Sequence, residues 1–509
     1  MVAAGILASR IVGLVRSRVF AHYFGTSDAA DAFNAAFRIP NFLQNLFGEG
    51  VLSASFIPVY AGLRARGDDA EARRVAGAVA ALLGLATSLL VLVGVLLTPL
   101  LITLIAPGFE GEKRLETIRL VRILFPGAGL LALSAWCLGV LNSHRRFFLS
   151  YAAPVIWNLT IIGAIVGFGR GVPQYPLAEI AAWGAVAGSF LQFAVQYPAV
   201  HRLLEGNWPR LVKGSAAVAA VIRNFLPVFI GRGVVQISAY VDTVLASLLP
   251  AGAVAGLSYA SVVYTLPVSL FGMSVSAAEL PEMASAMGSE TERAGYLRGR
   301  LDTGLRQIAF LVVPSAVAFL ALGDVVIGAL YQTGEFTSSM TVYVWGILAG
   351  SAVGLLASTM GRLYASTFWA LQDTRTPLRT ATLRVCLTIG LGYLFALPLP
   401  RALGVDARWG AAGLTASAGL AGWIEFLLLR RALNRRIGPT GIPMSLSARL
   451  WGSAVVAAAA GLALRRVLPV HHPVVLAIFL LGTYGAVYLA LTAGLGVAEA
   501  GGLLRRLKR

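Results

Sequence analysis

The chain contains 509 residues, of which 57% are hydrophobic and only 13% are charged, and its formal net charge is +18. This composition excludes an ordinary soluble globular protein and is typical of a helical membrane protein with many spans. The long runs of Leu, Ala, Gly and Val also exclude a transmembrane β-barrel, whose strands are short and alternate in polarity.

Windows of about 20 apolar residues predict fourteen membrane-spanning helices along the chain. Their predicted centres are Gly13, Asn41, Leu90, Ala128, Ile161, Ala187, Ile237, Ser269, Pro314, Leu355, Gly390, Leu420, Ala457 and Ala486. The first segment is not predicted to be a cleavable signal peptide, because arginines interrupt its apolar run. The predicted fold class is an all-α polytopic membrane protein with about fourteen transmembrane helices.

The first two predicted spans contain four arginines. Arg10, Arg16 and Arg18 lie in the first span, and Arg38 lies in the second, two residues before Pro40. A charged group inside a bilayer is costly and normally faces a protein interior or a water-filled cavity. Because a guanidinium stays charged and matches phosphate or carboxylate with two hydrogen bonds, these arginines predict a cavity for an anionic ligand.

The geometry of the first span leaves two points open. On a straight helix, Arg10 and Arg16 point about 120° apart, so they face one cavity only if Gly13 permits a bend or if the cavity wraps the helix. Arg18 lies nearer the outer interface, where extending its charged end to the membrane surface is the alternative to a role in the cavity. In the second span, Pro40 kinks a helix and the GEG segment at 48–50 permits a further break.

Acidic residues in or near the predicted spans are further candidates for the site. Asp31, near the outer end of the second span, is predicted either to neutralise an arginine or to be a helix first-turn carboxylate. Arg232 and Asp242 lie in the seventh span, and Asp373 lies at the cytoplasmic end of the tenth. Acids in a transporter can bind Na⁺, relay protons or pair with structural arginines, and these alternatives remain open.

The loop charges predict the orientation of the chain. Lysines and arginines are concentrated in the C-terminal tail and in those loops that lie on the same side of the membrane as the N-terminus. The loops on the opposite side contain few. This asymmetry predicts that both termini are cytoplasmic and that the number of spans is even. Because the cations occupy short loops rather than one continuous face, a nucleic-acid partner is not expected.

A weak internal repeat predicts the domain organisation. The tetrapeptide GLLA at 129–132 recurs at 354–357, and Pro58 and Pro281 are separated by nearly the same interval. Such parallel repeats are typical of transporters whose substrate site lies between two halves. The predicted divisions are a lobe at 1–215 (spans 1–6), a lobe at 216–440 (spans 7–12), and two further helices with a basic tail at 441–509.

Nothing in the sequence predicts an enzyme, a cofactor or a metal site. There is no phosphate-binding P-loop, and the five histidines lack the spacing of metal ligands. Cys137 and Cys386 lie in apolar runs and are predicted to be small core residues. Transport would then be driven by Na⁺ or H⁺ coupling, by the membrane potential or by the substrate gradient.

Several segments together carry a family resemblance. They are SR at 9–10 with Gly13 and Arg16, FG at 24–25, DAF at 31–33, FRIPN at 37–41, FGEG at 47–50, FIP at 56–58, APGF at 106–109, LN at 141–142 and QDTRTP at 372–377. These segments resemble the MurJ (MviN) family of lipid II flippases, within the multidrug/oligosaccharidyl-lipid/polysaccharide exporter superfamily. The resemblance extends over the whole chain and is most specific at the N-terminus.

The resemblance implies two six-helix lobes around a cationic cavity, with spans 13 and 14 forming a groove for the lipid tail. It implies alternating access that moves lipid II across the bacterial inner membrane, with the cell-wall synthesis machinery as a candidate partner. The family's essential first-span arginines fall on Arg10 and Arg16, and its second-span aspartate falls on Asp31. Its cation site falls on Asp242 and Asp373, with Val385 contributing a carbonyl.

The chain also departs from the family pattern. Ser17 stands where the family usually has an acid, and Gln44 and Val262 stand where it has functional arginines. We hypothesise that Arg232, with Arg18 or Arg38, restores part of the lost positive charge. The alternatives are a flippase for another polyprenyl-diphosphate-linked saccharide, a cation-coupled drug exporter and a membrane scaffold that transports nothing.

Overall fold

The computed structural model describes the backbone of residues 2–47, 49–206, 210, 215–287, 289–470 and 472–507. Side chains are described at 7–42, 51–52, 54–206, 210, 215–225, 240–287, 289–470 and 472–502. All regular structure in these ranges is helical, which confirms the predicted fold class. The chain forms two compact units, Met1–Ala255 and Gly256–Arg509.

The helices of the first unit, within the described backbone, follow one another with short connections. Their bounds are α1 (Val2–Phe24), α2 (Asp28–Phe47), α3 (Glu49–Ala65), α4 (Asp69–Leu96), α5 (Thr98–Ile105), α6 (Gly111–Ser143), α7 (Phe147–Phe168), α8 (Gln174–Leu203) and α9 (Ala216–Ser247). The next helix, α10 (Ala253–Pro267), begins in the last residues of this unit and continues into the second.

In the second unit, a π-helical turn at Val268–Met273 joins α10 to α11, and a 3₁₀ turn at Ala407–Trp409 precedes α18. The remaining bounds are α11 (Ser274–Ala284), α12 (Glu290–Ala321), α13 (Gly323–Tyr331), α14 (Ser338–Ala352), α15 (Leu355–Ala370), α16 (Arg375–Ala396), α17 (Pro398–Ala402), α18 (Gly410–Ile437), α19 (Met444–Val467), α20 (Pro473–Gly494) and α21 (Ala498–Leu507).

The fourteen predicted span centres all fall on these helical segments. Within the described residues, ten segments are long and apolar enough to cross a membrane, and the bent pair α14 and α15 makes eleven. The other three predicted spans correspond to α1, to α2 with α3, and to α9. Of these, α1 contains three arginines and α2 contains Arg38, which are the four arginines of the predicted cavity.

The second predicted span is built from two helices. Pro40 lies inside α2, which continues to Phe47, and α3 begins at Glu49. One helix therefore ends at Phe47 and the next begins at Glu49, which agrees with the predicted break. Asp28 and Asp31 lie in the first turn of α2, where a carboxylate is favoured by the helix dipole.

The turn between α1 and α2 is followed at once by Asp31, in the first turn of α2. Gly25 has a φ of +54°, and its N–H donates to the carbonyl of Ala21 at 2.9 Å, which ends α1. Two residues later, the Ser27 hydroxyl accepts the N–H of Ala30 at 3.2 Å and starts α2. These local contacts end one arginine-bearing helix and start the next.

In the first unit, the long helix α6 packs against α2, α3, α4 and α8. The core between these helices includes Tyr60, Val75, Trp136 and Leu141, all of which are buried. The Trp136 indole N–H donates to the carbonyl of Ala76 at 3.1 Å, so this large side chain is buried with its polar atom satisfied. The helix α9 packs against α3 and belongs to this unit.

In the second unit, α18 packs against α14, α15 and α16, and α12 packs against α15 and α19. Small residues permit close approach of these helices: a Cβ added at Gly354 would lie 2.4 Å from the Cα of Gly419. Helices in membranes commonly associate through such small residues. The predicted lobes at 1–215, 216–440 and 441–509 divide the chain at other positions than the two units, and that division stays a prediction.

Candidate functional site

The arginines of α1 lie on a helix that packs against α7. Arg10 is exposed, whereas Arg16 and Arg18 are half-buried. Ser17, where the resemblance leads one to expect an acid, donates its hydroxyl to the carbonyl of Gly13 at 3.1 Å. This side chain therefore bonds back onto its own helix, as serines in helix interiors commonly do.

Arg16 contacts two aromatic rings that come from different helices. Its guanidinium carbon lies 5.0 Å from the ring centre of Trp157 on α7 and 5.6 Å from that of Phe37 on α2. The two rings also stack on each other, with centres 5.6 Å apart. Contacts of this kind attract a cation to the aromatic face, so Arg16 is held between α2 and α7 at a fixed place.

Trp157 is itself held in position. Its indole N–H donates to the carbonyl of Ala185 on α8 at 3.0 Å. A chain of contacts thus runs from α8 through Trp157 to Arg16. Sequence reasoning missed this tryptophan, because one aromatic residue in an apolar span has no pattern that distinguishes it from a core residue.

Arg38 connects α2 to α9. Its Nη1 donates to the hydroxyl of Thr243, and its carbonyl accepts the hydroxyl of Tyr240 at 2.8 Å. The carboxylate of Asp242 also attracts its guanidinium. The sequence-predicted cation at 38 and acid at 242 are therefore brought into one cluster, although about two hundred residues separate them.

Asp31 is buried, and its carboxylate accepts several hydrogen bonds. It is 1% exposed, and its carboxylate accepts the Nζ of Lys113 at 2.7 Å and the N–H groups of Gly252 and Ala255, both at 2.8 Å. Its charged partner is a lysine from the start of α6, and not the arginine that we expected from the sequence. The alternative expectation, a carboxylate in the first turn of a helix, is confirmed.

The remaining predicted positions are distributed over both units. The side chains of Arg232 and Gln44 lie outside the described residues. Val262 is half-buried in α10, and Val385 is half-buried in α16. The predicted roles of Arg232 and Val385 therefore stay predictions.

Asp373 caps the N-terminus of α16. Its carboxylate accepts the N–H groups of Arg375 and Thr376 at 3.0 Å and the Thr376 hydroxyl at 2.7 Å, and it pairs with Arg436 at 2.6 Å. The Thr376 hydrogen bonds, followed by that of Arg436, lower the pKa of Asp373 to about 2. In the part of the chain that the structure describes, no group of three or more His, Cys, Asp or Glu side chains is arranged to hold a metal ion.

The fold defines the class of protein. The chain resembles the inward-facing structure of a multidrug resistance MATE family transporter of the MOP superfamily, with a TM-score of 0.68 and 16% identity. That similarity covers 83% of this chain and 95% of the transporter. The chain is therefore a multi-pass membrane protein with a MOP transporter fold.

Sequence comparison then identifies the family. A family model described as "Lipid II flippase MurJ" matches residues 20–485. The "Probable lipid II flippase MurJ" of Rhizobium meliloti (strain 1021) is 31% identical over 100% of this chain and 95% of its own length. The "Lipid II flippase MurJ" of Burkholderia cenocepacia is 31% identical over 84% of this chain and 82% of its own length.

A solved structure agrees with this assignment. The structure described as "Lipid II flippase MurJ, inward closed conformation" covers 100% of this chain and 99% of its own, with a TM-score of 0.78 and 24% identity. This likeness shows a shared fold. Together with the family model, it confirms the resemblance noted in the sequence: the chain belongs to the MurJ family of lipid II flippases.

Proposed function

We propose that this chain moves lipid II from the inner to the outer leaflet of the bacterial cytoplasmic membrane by alternating access, with both termini in the cytoplasm. The observation that carries the proposal is the placement of Arg16 and Arg38 in the first two membrane helices of a MurJ family chain. The partners this function requires are the lipid-linked substrate and the bilayer. The cell-wall synthesis machinery would then consume the product.

The contacts of Arg16 suit a residue that binds phosphate. Aromatic rings attract the guanidinium through their faces, whereas its hydrogen bonds are made by the N–H groups at its edge. The contacts with Phe37 and Trp157 are therefore compatible with a bidentate interaction with an oxyanion. The diphosphate is the most charged part of lipid II, so it gains the most from such a residue inside the membrane.

Arg38 would act in a different way. It is attracted by Asp242 and bonded to Thr243, so its charge is partly balanced before any substrate arrives. An anion that binds at Arg38 competes with Asp242, and a cation that binds at Asp242 would release Arg38 for the anion. This coupling is the physical basis on which we propose Asp242 as the residue through which Na⁺ or H⁺ acts.

The coupling proposal is tested by exchanging the ion. The rate of lipid II transport would be measured in proteoliposomes with Na⁺, with K⁺ in its place, and across a range of pH, for wild type and Asp242→Ala. We expect one of these ions to change the wild-type rate and Asp242→Ala to remove that dependence. Identical rates under all conditions in both proteins would contradict the proposal and leave the membrane potential or the substrate gradient as the energy source.

The hypothesis that Arg232 compensates for Gln44 and Val262 has its own test. Arg232→Glu would reverse the charge in α9, and Arg223→Glu would make the same change at an exposed position of the same helix. We expect only the change at 232 to stop transport. Transport that survives Arg232→Glu would overturn the hypothesis.

The substrate is tested in the host cell. Depletion of this protein is expected to make lipid II accumulate in the inner leaflet, and wild type but not Arg16→Ala is expected to correct this. Arg401→Ala, at an exposed arginine of α17, is the matched control and should behave as wild type. If lipid II is unchanged and another polyprenyl-diphosphate-linked glycan accumulates instead, the substrate assignment is wrong.

A further inference from the structure

A cavity of about 460 Å³ lies within the first unit, between α2, α4, α5, α6 and α9. Its inner side is formed by Ile39 and Phe125, which are 5% and 1% exposed. Gly94 also lines it, and a Cβ at that position would lie 2.4 Å from the Phe125 ring. Because Gly94 has no side chain, the Phe125 ring has room to lie at the inner wall.

The walls of this cavity are apolar. Among the lining residues whose side chains the structure describes, Tyr240 has the only polar one, and its hydroxyl donates to the carbonyl of Arg38. The Tyr240 ring packs edge-on against Phe42, with ring centres 5.7 Å apart. The described part of the walls therefore offers hydrocarbon and aromatic surface and no charged group, which fits a hydrocarbon ligand and disfavours a polar one.

The mouth of the cavity opens onto the membrane-facing side of α4 and α5. The lining residues Val93, Leu97 and Leu104 are 40%, 47% and 62% exposed. Exposed leucines continue this surface on the same helices at Leu96 and Leu100. Because α4 is long and apolar enough to span the membrane, the mouth is continuous with the surface that contacts lipid.

We propose that this cavity binds an acyl chain of a bilayer phospholipid. Its volume lies in the range of about 300–1,000 Å³ that is typical of ligand sites. Apolar cavities roughly a third of this size stay dry and accept apolar guests. Bilayer acyl chains surround the mouth at high local concentration, so mass action favours them over a scarce lipid-linked substrate.

The bound chain has a structural consequence for the arginine site. Ile39 and Phe42 lie on either side of Pro40 in α2, and Tyr240 of α9 donates its hydroxyl to the carbonyl of Arg38. An acyl chain in the cavity packs against both helices that carry the Arg38 cluster. It therefore stabilises this arrangement of α2 and α9, and the lipid acts as a ligand of the transporter that is not its cargo.

The test compares two tryptophan variants on one helix. Leu101→Trp places a larger side chain in the cavity, whereas Leu100→Trp places it on the exposed side of α5. Full-length protein would be purified with a fixed detergent wash, and the retained phospholipid per protein would be measured by mass spectrometry. We expect Leu101→Trp to lose bound phospholipid roughly tenfold, equivalent to about 1.4 kcal/mol of binding free energy. Leu100→Trp should retain the wild-type amount.

A second measurement locates the chain. A phospholipid with a photoreactive group in mid-chain would be incorporated into nanodiscs with each protein, and the labelled peptides would be mapped. Labelling of residues 90–105 in wild type and Leu100→Trp, and its loss in Leu101→Trp, supports the proposal. Equal labelling in all three proteins, or labelling only by a photoreactive polyprenyl diphosphate, would overturn it. If Leu101→Trp does not fold, Leu97→Trp replaces it with the same expectations.

Discussion

Asp31 and Lys113 are 82 positions apart in the chain, and their side chains meet at 2.7 Å. The same carboxylate accepts the N–H groups of Gly252 and Ala255, so it connects α2, the start of α6 and the segment where the turn after α9 leads into α10. Gly252 has a φ of +90°, and a Cβ there would lie 2.6 Å from the carbonyl oxygen of Thr26. One buried acid thus holds three segments together at one end of the unit.

The first prediction concerns this ion pair. Asp31→Asn removes the charge from a buried carboxylate and is expected to lower the free energy of unfolding by about 3 kcal/mol. Asp28→Asn is the matched control, because Asp28 pairs with the same lysine at 2.8 Å but is about half exposed. Its expected cost is below about 1 kcal/mol. Equal losses of thermal stability in the two variants, measured in nanodiscs, would contradict this account of Asp31.

The second prediction concerns the loop that leads into α6. A Cβ at Gly108 would lie 2.1 Å from the carbonyl oxygen of Ser247, so the two backbones approach too closely for any side chain. Gly108→Ala is expected to destabilise the protein by about 1–3 kcal/mol. Gly163→Ala, in the middle of α7 with open space around its Cα, should be neutral or stabilising by up to about 1 kcal/mol. A stable Gly108→Ala protein would show that this contact is not formed.

The third prediction concerns the aromatic contacts of Arg16. Trp157→Leu removes a cation–π contact of about 0.5–2 kcal/mol and is expected to slow lipid II transport roughly twofold to thirtyfold. Trp157→Phe keeps an aromatic ring and should lose less activity. Trp183→Leu, at an exposed tryptophan of α8, is the control and should keep the wild-type rate. If Trp157→Leu transports at the wild-type rate, the aromatic contacts do not position Arg16.

The fourth prediction concerns acid stability. The depressed pKa of Asp373, about 2, lies below the ordinary value of 3.8, so its ionised form stabilises the folded state. This contribution is complete above the ordinary pKa and is lost as the pH falls through the folded-state value. The stability difference between wild type and Asp373→Asn should therefore be constant from pH 8 to 6 and shrink at pH 2.5. Thr376→Val removes the hydroxyl that donates to the Asp373 carboxylate, so this loss of stability should occur at higher pH.

The sequence predicted the fold because its signals are local. Apolar runs predicted the fourteen spans, and the sequence also predicted a break after Pro40, where α2 ends at Phe47 and α3 begins at Glu49. Each arginine within an apolar run can also be recognised from the sequence by itself. These features required no knowledge of which helices pack together.

The contacts of the site could not be predicted in this way, because they join distant segments. In the sequence, Lys113 is one of several cations in the loops, and no neighbouring residue indicates that it pairs with Asp31. Trp157 and Tyr240 are ordinary aromatic residues until packing places them beside Arg16 and Arg38. The expected arginine partner of Asp31 was wrong for the same reason, since the choice among cations is made by tertiary structure.

The most direct test of the central claim is transport by the purified protein alone. Lipid II would be incorporated into proteoliposomes, and its movement between leaflets would be followed for wild type, Arg16→Ala, Arg38→Ala and Arg401→Ala. We predict that wild type and Arg401→Ala accelerate the movement over protein-free vesicles, and that Arg16→Ala and Arg38→Ala each lose roughly tenfold or more, as expected for a charge-assisted hydrogen bond. Rates equal to those of protein-free vesicles in wild type, or unchanged rates in both arginine variants of α1 and α2, would contradict the claim.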